Sequence, residues 1–222
     1  MENFRNIFIL GTSHVAKESV SNVEKAGKIL SPDIIALELD SSRLHSLKNN
    51  LPRPKNTELI KAIGLKGFMF FLLGEFLQKK IGKYLDISPG SEMLAGLKYA
   101  EDNKKQLTLI DRDIQLTLRR FSKNFKKREV LNMIWDILFE KQVKVDISKV
   151  PSSEIIKQVV KHTKSRYPSL FKVLIDERDL FMAKKLFSIS KNFPEEKVLA
   201  IVGAGHVEGM MKYLNIFEES FK

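Results

Sequence analysis

The sequence predicts an α/β fold: a mostly parallel central sheet of about four or more strands, flanked by helices, with a large helical insertion. Two observations support this prediction. Four short apolar runs alternate with segments of helical periodicity, as expected for parallel strands that are buried on both faces. Polar residues follow each apolar run directly, at the sheet edge where open α/β sheets bind ligands.

The first two strands and the helix between them form a predicted β-α-β unit. An apolar run at residues 7–10 ends at Gly11, residues 17–30 have helical periodicity, and a second apolar run spans residues 34–39. The crossover between these strands should be right-handed. Two further strands are predicted at residues 107–110 and 197–202.

Long helices are predicted between the second and fourth strands. They lie near residues 57–84, 90–103, 112–140, 152–163 and 169–191. We therefore expect one domain over residues 1–222, with its core at about 1–55, 105–118 and 195–217. The helical insertion or cap would comprise about residues 56–104 and 119–194.

Composition limits the chemistry that the chain can perform. It has no cysteine, so a metal ion would be held by histidine nitrogen and carboxylate oxygen. The net charge of +11 would attract nucleic acid or an anionic membrane surface. Because no RNA-binding aromatic pattern or helix-turn-helix stands out, no nucleic-acid partner is expected, whereas the membrane surface stays open as a partner.

The first residues reach an apolar run without the basic start or cleavage site of a signal peptide, which predicts a cytoplasmic domain. The longest apolar run, at residues 67–77, is shorter than the roughly 18 to 20 residues that a membrane span requires. It is interpreted as a buried or interfacial helix.

Two matched Gly-x-x-His segments end the first and last strands. They present His14 and His206 just beyond a glycine that permits a tight turn. The other two histidines, His45 and His162, lie in predicted helices. Imidazole is a common metal ligand and general base, although a structural hydrogen bond is the alternative role for each histidine.

The second strand ends with Glu38, and Arg43 follows at the start of a helix. A carboxylate in an apolar strand is costly unless it is paired or bound to metal. Glu38 is therefore a candidate ligand or general base, and Arg43 its partner or a clamp for a substrate carboxylate. A purely structural ion pair is the alternative.

An acid–arginine–acid pattern follows the third strand as Asp111, Arg112 and Asp113. Two carboxylates could hold the guanidinium of Arg112 with its donors aimed at a developing oxyanion. Asp113 fits equally well as the cap of the next helix.

The pattern recurs on a later helix, where Glu177 and Arg178 are candidates and an exposed charged segment is the alternative. Glu92 is a further candidate acid, and it also suits the first turn of a helix capped by Ser88 or Ser91.

The chain resembles the TraB/PrgY group, which is related to Tiki metalloproteases and more distantly to the erythromycin-esterase and ChaN-like superfamily. The resemblance extends along nearly the whole chain. It rests on GTSH at 11–14, PDIIALELDSSR at 32–43, SEM at 91–93, LIDRDIQLTLRR at 109–120, DERDLFMA at 176–183 and VGAGHVEGM at 202–210.

The resemblance implies that His14 and His206 bind a metal ion and that Glu38 contributes to the same centre. Manganese, cobalt or zinc would suit such ligands. Tiki proteins are metal-dependent peptidases and PrgY relatives restrain a peptide pheromone, so the resemblance implies a metal-dependent hydrolase of peptides. Arg43, Arg112 or Arg178 would stabilise an oxyanion or bind a peptide carboxylate.

Other functions stay open at this point. A non-catalytic, membrane-associated scaffold could use the same cleft to bind a peptide, and a metal-dependent esterase would need similar residues. TraB-type relatives commonly carry membrane spans after this domain, which leaves open anchoring in a longer parent protein. Pairing as a homodimer also stays open.

Overall fold

A computed structural model of the chain describes residues 1–12, 17–49, 55–62, 64, 68, 90–124, 126, 128, 129, 131, 132, 135 and 153–220. Within these residues, a five-stranded sheet is covered by helices on both faces. The predicted α/β class and the mostly parallel sheet are therefore confirmed.

The sheet has the strand order β1-β2-β5-β3-β4. All neighbouring pairs are parallel except β1 and β2. The strands are β1 (Glu2–Phe4), β2 (Ile7–Thr12), β3 (Ile34–Leu37), β4 (Gln106–Leu109) and β5 (Val198–Gly203). Strand β1 was not predicted; it folds back onto β2 through a tight turn in which Arg5 adopts a positive φ of 50°.

The described helices are α1 (Lys17–Leu30), α2 (Ser41–Asn49), α3 (Ser91–Asp102), α4 (Ile114–Asn124), α5 (Ser153–Arg166), α6 (Pro168–Phe171), α7 (Glu177–Asn192) and α8 (Val207–Ser220). A π-helical segment, Lys172–Asp176, joins α6 to α7. None of the helices in the described ranges is long and apolar enough to cross a membrane.

Three predicted segments lie largely outside the described residues: most of the helix at 57–84, the apolar run at 67–77, and the part of the 112–140 helix beyond residue 124. The large helical insertion and the division into core and cap therefore stay predictions. The helices predicted at 90–103, 152–163 and 169–191 agree with the described helices to within a few residues.

Alternating residues of the inner strands build two apolar layers. Ile34, Ala36 and Ala200 pack against helices α7 and α8 on one face. Their chain neighbours Ile35 and Leu199 pack against α1 and α3 on the other face. Both faces of β3 and β5 are thus buried, which explains why these strands are continuous apolar runs in the sequence.

Candidate functional site

Arg178 lies at the centre of a buried cluster of charged side chains. Its Nε and Nη2 atoms donate to the two carboxylate oxygens of Asp111 at 3.1 and 2.8 Å. Nη2 also donates to Oε1 of Glu38, and Nη1 lies 3.1 Å from Nε2 of His206. We call these four residues, Glu38, Asp111, Arg178 and His206, the Arg178 cluster.

The parallel sheet brings these four residues together. Glu38 directly follows β3, Asp111 lies just beyond β4, and His206 lies just beyond β5. Because these strands are parallel, their carboxyl ends meet at one edge of the sheet. Helix α7 packs against one face of the sheet, and its first turn supplies Arg178.

Burial makes the charges of the cluster depend on one another. Glu38 and Asp111 are 2% and 4% exposed, so each carboxylate needs a compensating cation. Burial alone would lower the pKa of Arg178, but the charges of Glu38 and Asp111 raise it above its usual value. The guanidinium therefore stays charged throughout the physiological pH range.

Glu38 links β3 to the residues that follow β5. Its Oε2 atom accepts a hydrogen bond from the backbone N–H of Gly203 at 2.6 Å. Its Oε1 atom lies 3.3 Å from Nε2 of His206. One carboxylate oxygen is thus fixed by the backbone, and the other faces the imidazole.

The other ring nitrogen of His206 contacts a residue that the sequence had not singled out. Nδ1 lies 2.5 Å from Oδ1 of Asp179, in the first turn of α7. Burial raises the pKa of Asp179 to about 6, although hydrogen bonding to His206 opposes that rise. A carboxylate behind a histidine is the arrangement that orients imidazole in metal sites and in acid–base catalysis.

Arg112 belongs to a separate buried network beside the Arg178 cluster. Its Nη1 donates to Oε2 of Glu177 at 2.9 Å, its Nε donates to Thr117 at 2.9 Å, and its Nη2 donates to the carbonyl of Val173 at 2.6 Å. Arg120 donates to the same oxygen of Glu177. Glu177, rather than the flanking Asp111 and Asp113, therefore holds the guanidinium.

The pKa of Glu177 reflects this network. Burial alone would raise the pKa, but hydrogen bonds and charge from Arg112 and Arg120 lower it below its ordinary value of 4.5. The carboxylate consequently stays ionised at neutral pH.

The remaining candidates lie at the ends of helices. Asp113 accepts a hydrogen bond from the N–H of Gln115 at 2.6 Å, which confirms it as a cap of α4. Arg43 lies 3.9 Å from Asp111, with a third of its side chain exposed.

Glu92 is buried in the first turn of α3, where Gly90 occupies the N-cap position without a side-chain cap. The expected capping by Ser91 is therefore wrong, and Ser88 lies outside the described residues.

His14 lies outside the described residues, so its predicted meeting with Glu38 and His206 stays a prediction. Within the described ranges, no group of three or more histidine and acidic side chains could hold a metal ion. His45 and His162 lie on the exposed surfaces of α2 and α5.

Comparison with known proteins extends over nearly the whole chain. The model of the TraB/PrgY/gumN family matches residues 2–220. An uncharacterized protein of Methanocaldococcus jannaschii is 37% identical over 96% of this chain and 54% of its own length. TraB domain-containing proteins of Mus musculus and Homo sapiens are 24% and 22% identical, each over 95% of this chain and 63% of their length. The chain thus spans between about half and two thirds of the length of these relatives.

Proposed function

The chain belongs to the TraB/PrgY/gumN family, and from this premise we propose that it is a metal-dependent hydrolase of peptides. The observation that carries the proposal is the approach of His206 Nε2 to Glu38 Oε1 at 3.3 Å, beyond the ends of two neighbouring parallel strands. His14, by resemblance, would supply the third ligand.

The spacing of these two atoms suits a shared divalent ion. Two ligand atoms of one tetrahedral zinc ion, at bond lengths of roughly 2.0–2.1 Å, lie about 3.3–3.4 Å apart. Asp179 supports the opposite side of the imidazole, and Gly203 fixes the second oxygen of Glu38. Both are contacts of the kind that orient metal ligands. The donors therefore fit manganese, cobalt or zinc.

Arg178 has a defined part in this proposal. Its guanidinium now contacts both Glu38 and His206, so an ion could enter between them only if those two contacts were released. The paired contacts with Asp111 would keep Arg178 beside the centre. Freed from Glu38, the guanidinium would present donors to a developing oxyanion.

The ion and the side chains would have different roles in the reaction. A divalent ion, when bound, would make its water more acidic and polarise a carbonyl group. Glu38 would hold the ion or accept a proton, His206 would keep Nε2 turned towards Glu38, and Arg43 at the exposed rim would bind a substrate carboxylate.

A neighbouring cavity suits a peptide substrate. It has a volume of about 640 Å³ and is lined by Ala204 and Val207, which flank His206 in the sequence, whereas the four residues of the Arg178 cluster do not line it. Its walls are mainly apolar, with charged groups on two helices; they include Ile9, Ile156, Lys157, Val207, Glu208 and Met211. Apolar walls with a few charged groups are typical of sites that bind organic ligands.

One observation favours a second candidate function, peptide binding without hydrolysis. Arg178 already pairs with both Glu38 and Asp111, so the two buried carboxylates share a compensating cation without a metal. A scaffold of this kind would bind a peptide in the same cavity and leave it intact.

Metal analysis and peptide cleavage separate the two functions. The full chain would be incubated with a mixed peptide library, with and without chelator, and the products read by mass spectrometry. We expect chelator-sensitive cleavage that is lost in His206→Ala and kept in His162→Ala, which removes an exposed histidine of α5. Tight binding of intact peptide would favour the scaffold. A folded His206→Ala protein with full metal content and activity would refute the proposed centre.

A further inference from the structure

The tautomer of His206 follows from its neighbours. A guanidinium can donate hydrogen bonds but cannot accept them. Nε2 lies 3.1 Å from Nη1 of Arg178, which can donate to it, and 3.3 Å from Oε1 of Glu38, which can only accept. The shortest contact decides the tautomer: Nδ1 lies 2.5 Å from Oδ1 of Asp179, and because a carboxylate accepts, Nδ1 has the ring proton. In the neutral ring Nε2 therefore has the lone pair, and it is directed towards Arg178 and Glu38.

Asp179 reaches His206 through a gap in helix α8. Gly209 lies three residues beyond His206, which places both on one side of the first helical turn. A Cβ atom built on Gly209 would lie within 1.9 Å of Oδ2 of Asp179 and 2.8 Å of its Cγ. Any side chain at position 209 would therefore collide with the carboxylate that contacts His206.

The gap is a local feature of the segment around His206. A Cβ atom on Gly205, the residue just before His206, would meet nothing within 4 Å. The helix itself does not explain Gly209, since alanine is the better helix former. The requirement for glycine comes from the carboxylate that fills the space above it.

We propose that Asp179 and Gly209 are positioning residues: Asp179 fixes the tautomer and orientation of His206, and Gly209 provides the space that Asp179 occupies. In the sequence they appear as an acid directly after Arg178 and as a His-x-x-Gly spacing. For its metal-affinity readout this inference rests on the proposed function, but its spectroscopic readout does not.

The first test is the protonation pattern of the imidazole rings in the full chain, read from long-range ¹H–¹⁵N correlation spectra at neutral pH. The His206 signals are assigned by their loss in His206→Ala. We expect an unprotonated Nε2 in the unaltered chain and in Gly205→Ala, and loss of this fixed pattern in Gly209→Ala and Asp179→Asn. An unchanged pattern in both of the latter variants would overturn the inference.

The second test is the affinity for zinc or manganese of the same proteins. Loss of a group that orients a ligand costs roughly 10- to 100-fold in metal affinity or activity. We expect a loss of this size in Gly209→Ala and none in Gly205→Ala; equal losses would contradict a special role for Gly209. If Gly209→Ala does not fold, Asp179→Asn, which keeps the size of the side chain, provides the same comparison.

The two proposals can fail separately. A chain that shows the expected tautomer and its loss on substitution, yet binds no metal and cleaves no peptide, would refute the hydrolase and leave the positioning role intact. A chelator-sensitive peptidase whose His206 tautomer does not change when Asp179 or Gly209 is substituted would refute the positioning role and leave the hydrolase intact.

Discussion

Two buried arginines lie near the start of α7, and their side-chain partners differ in kind. Arg112 binds Thr117, Glu177 and the carbonyl of Val173, all on the helices around it. Arg178 also donates to a carbonyl of the π-helical segment, that of Leu174 at 3.2 Å, but its side-chain partners Glu38, Asp111 and His206 follow three different strands. The same acid–arginine pattern in the sequence thus yields a clamp between helices in one place and a candidate active site in the other. The two sites differ in whether the side chains that contact the arginine lie on helices or follow strands.

Removal of Arg178 should have the largest effect. Arg178→Met leaves Glu38 and Asp111 buried without their shared cation, and breaking a buried pair in this way costs about 3–5 kcal/mol. The free energy of unfolding, measured in urea at pH 7, should fall by about that amount.

Arg112→Met is the matched control for this comparison. Glu177 would keep its bond to Arg120, so the loss should be smaller, about 1–3 kcal/mol. Equal losses in the two variants would mean that the two arginines contribute equally to the free energy of unfolding. That result would contradict the contrast between the two networks.

The Arg112 network should also give the protein a specific response to acid. Because Arg112 and Arg120 lower the pKa of Glu177 despite its burial, the ionised carboxylate stabilises the folded state above pH 4.5, and this contribution is lost as the pH falls below that value. The difference in unfolding free energy between the unaltered chain and Glu177→Gln should therefore shrink between pH 7 and pH values below 4.5. A difference that grows on acidification would contradict the lowered pKa.

The smallest effect is expected at Arg43, on the rim of the Arg178 cluster. Its Nη1 atom lies 3.9 Å from Asp111 and its side chain is a third exposed, so the pair should contribute only about 0–1 kcal/mol. Arg43→Gln should unfold at nearly the same urea concentration as the unaltered chain. The exposed pair of Lys48 and Glu101 offers a control, Lys48→Gln, of similar expected size. A loss well above that of Lys48→Gln would place Arg43 inside the buried network.

The strands and part of the cluster could be predicted because buried strands appear in the sequence as runs of apolar residues. β3 and β5 are continuous apolar runs since both of their faces are covered. Glu38 stands out because a carboxylate next to such a run must find a partner. His206 stands out because a glycine-rich turn follows the last strand.

Other features could not be predicted from the same patterns. Strand β1 has only three residues and turns through Arg5 and Asn6 without the usual glycine of a tight hairpin. Asp179 shares the buried face of α7 with Met182 and Leu186, but helical periodicity does not show which residue of another segment it contacts. The contact between Asp179 and Gly209 depends on the approach of two helices, which periodicity within one helix does not encode.

The strand order has a consequence for how the chain reaches its native state. β5 is the last strand in the sequence but lies between β2 and β3, and the bond from Thr12 to the carbonyl of Val202 spans 190 residues. Contacts that join such distant segments form slowly, because a long loop must close first. During synthesis, β2 and β3 would be complete long before β5, the strand that pairs with both of them, had been made. Glu38 and Asp111 would meet the imidazole of His206 only at that late step, so the Arg178 cluster would be completed together with the sheet.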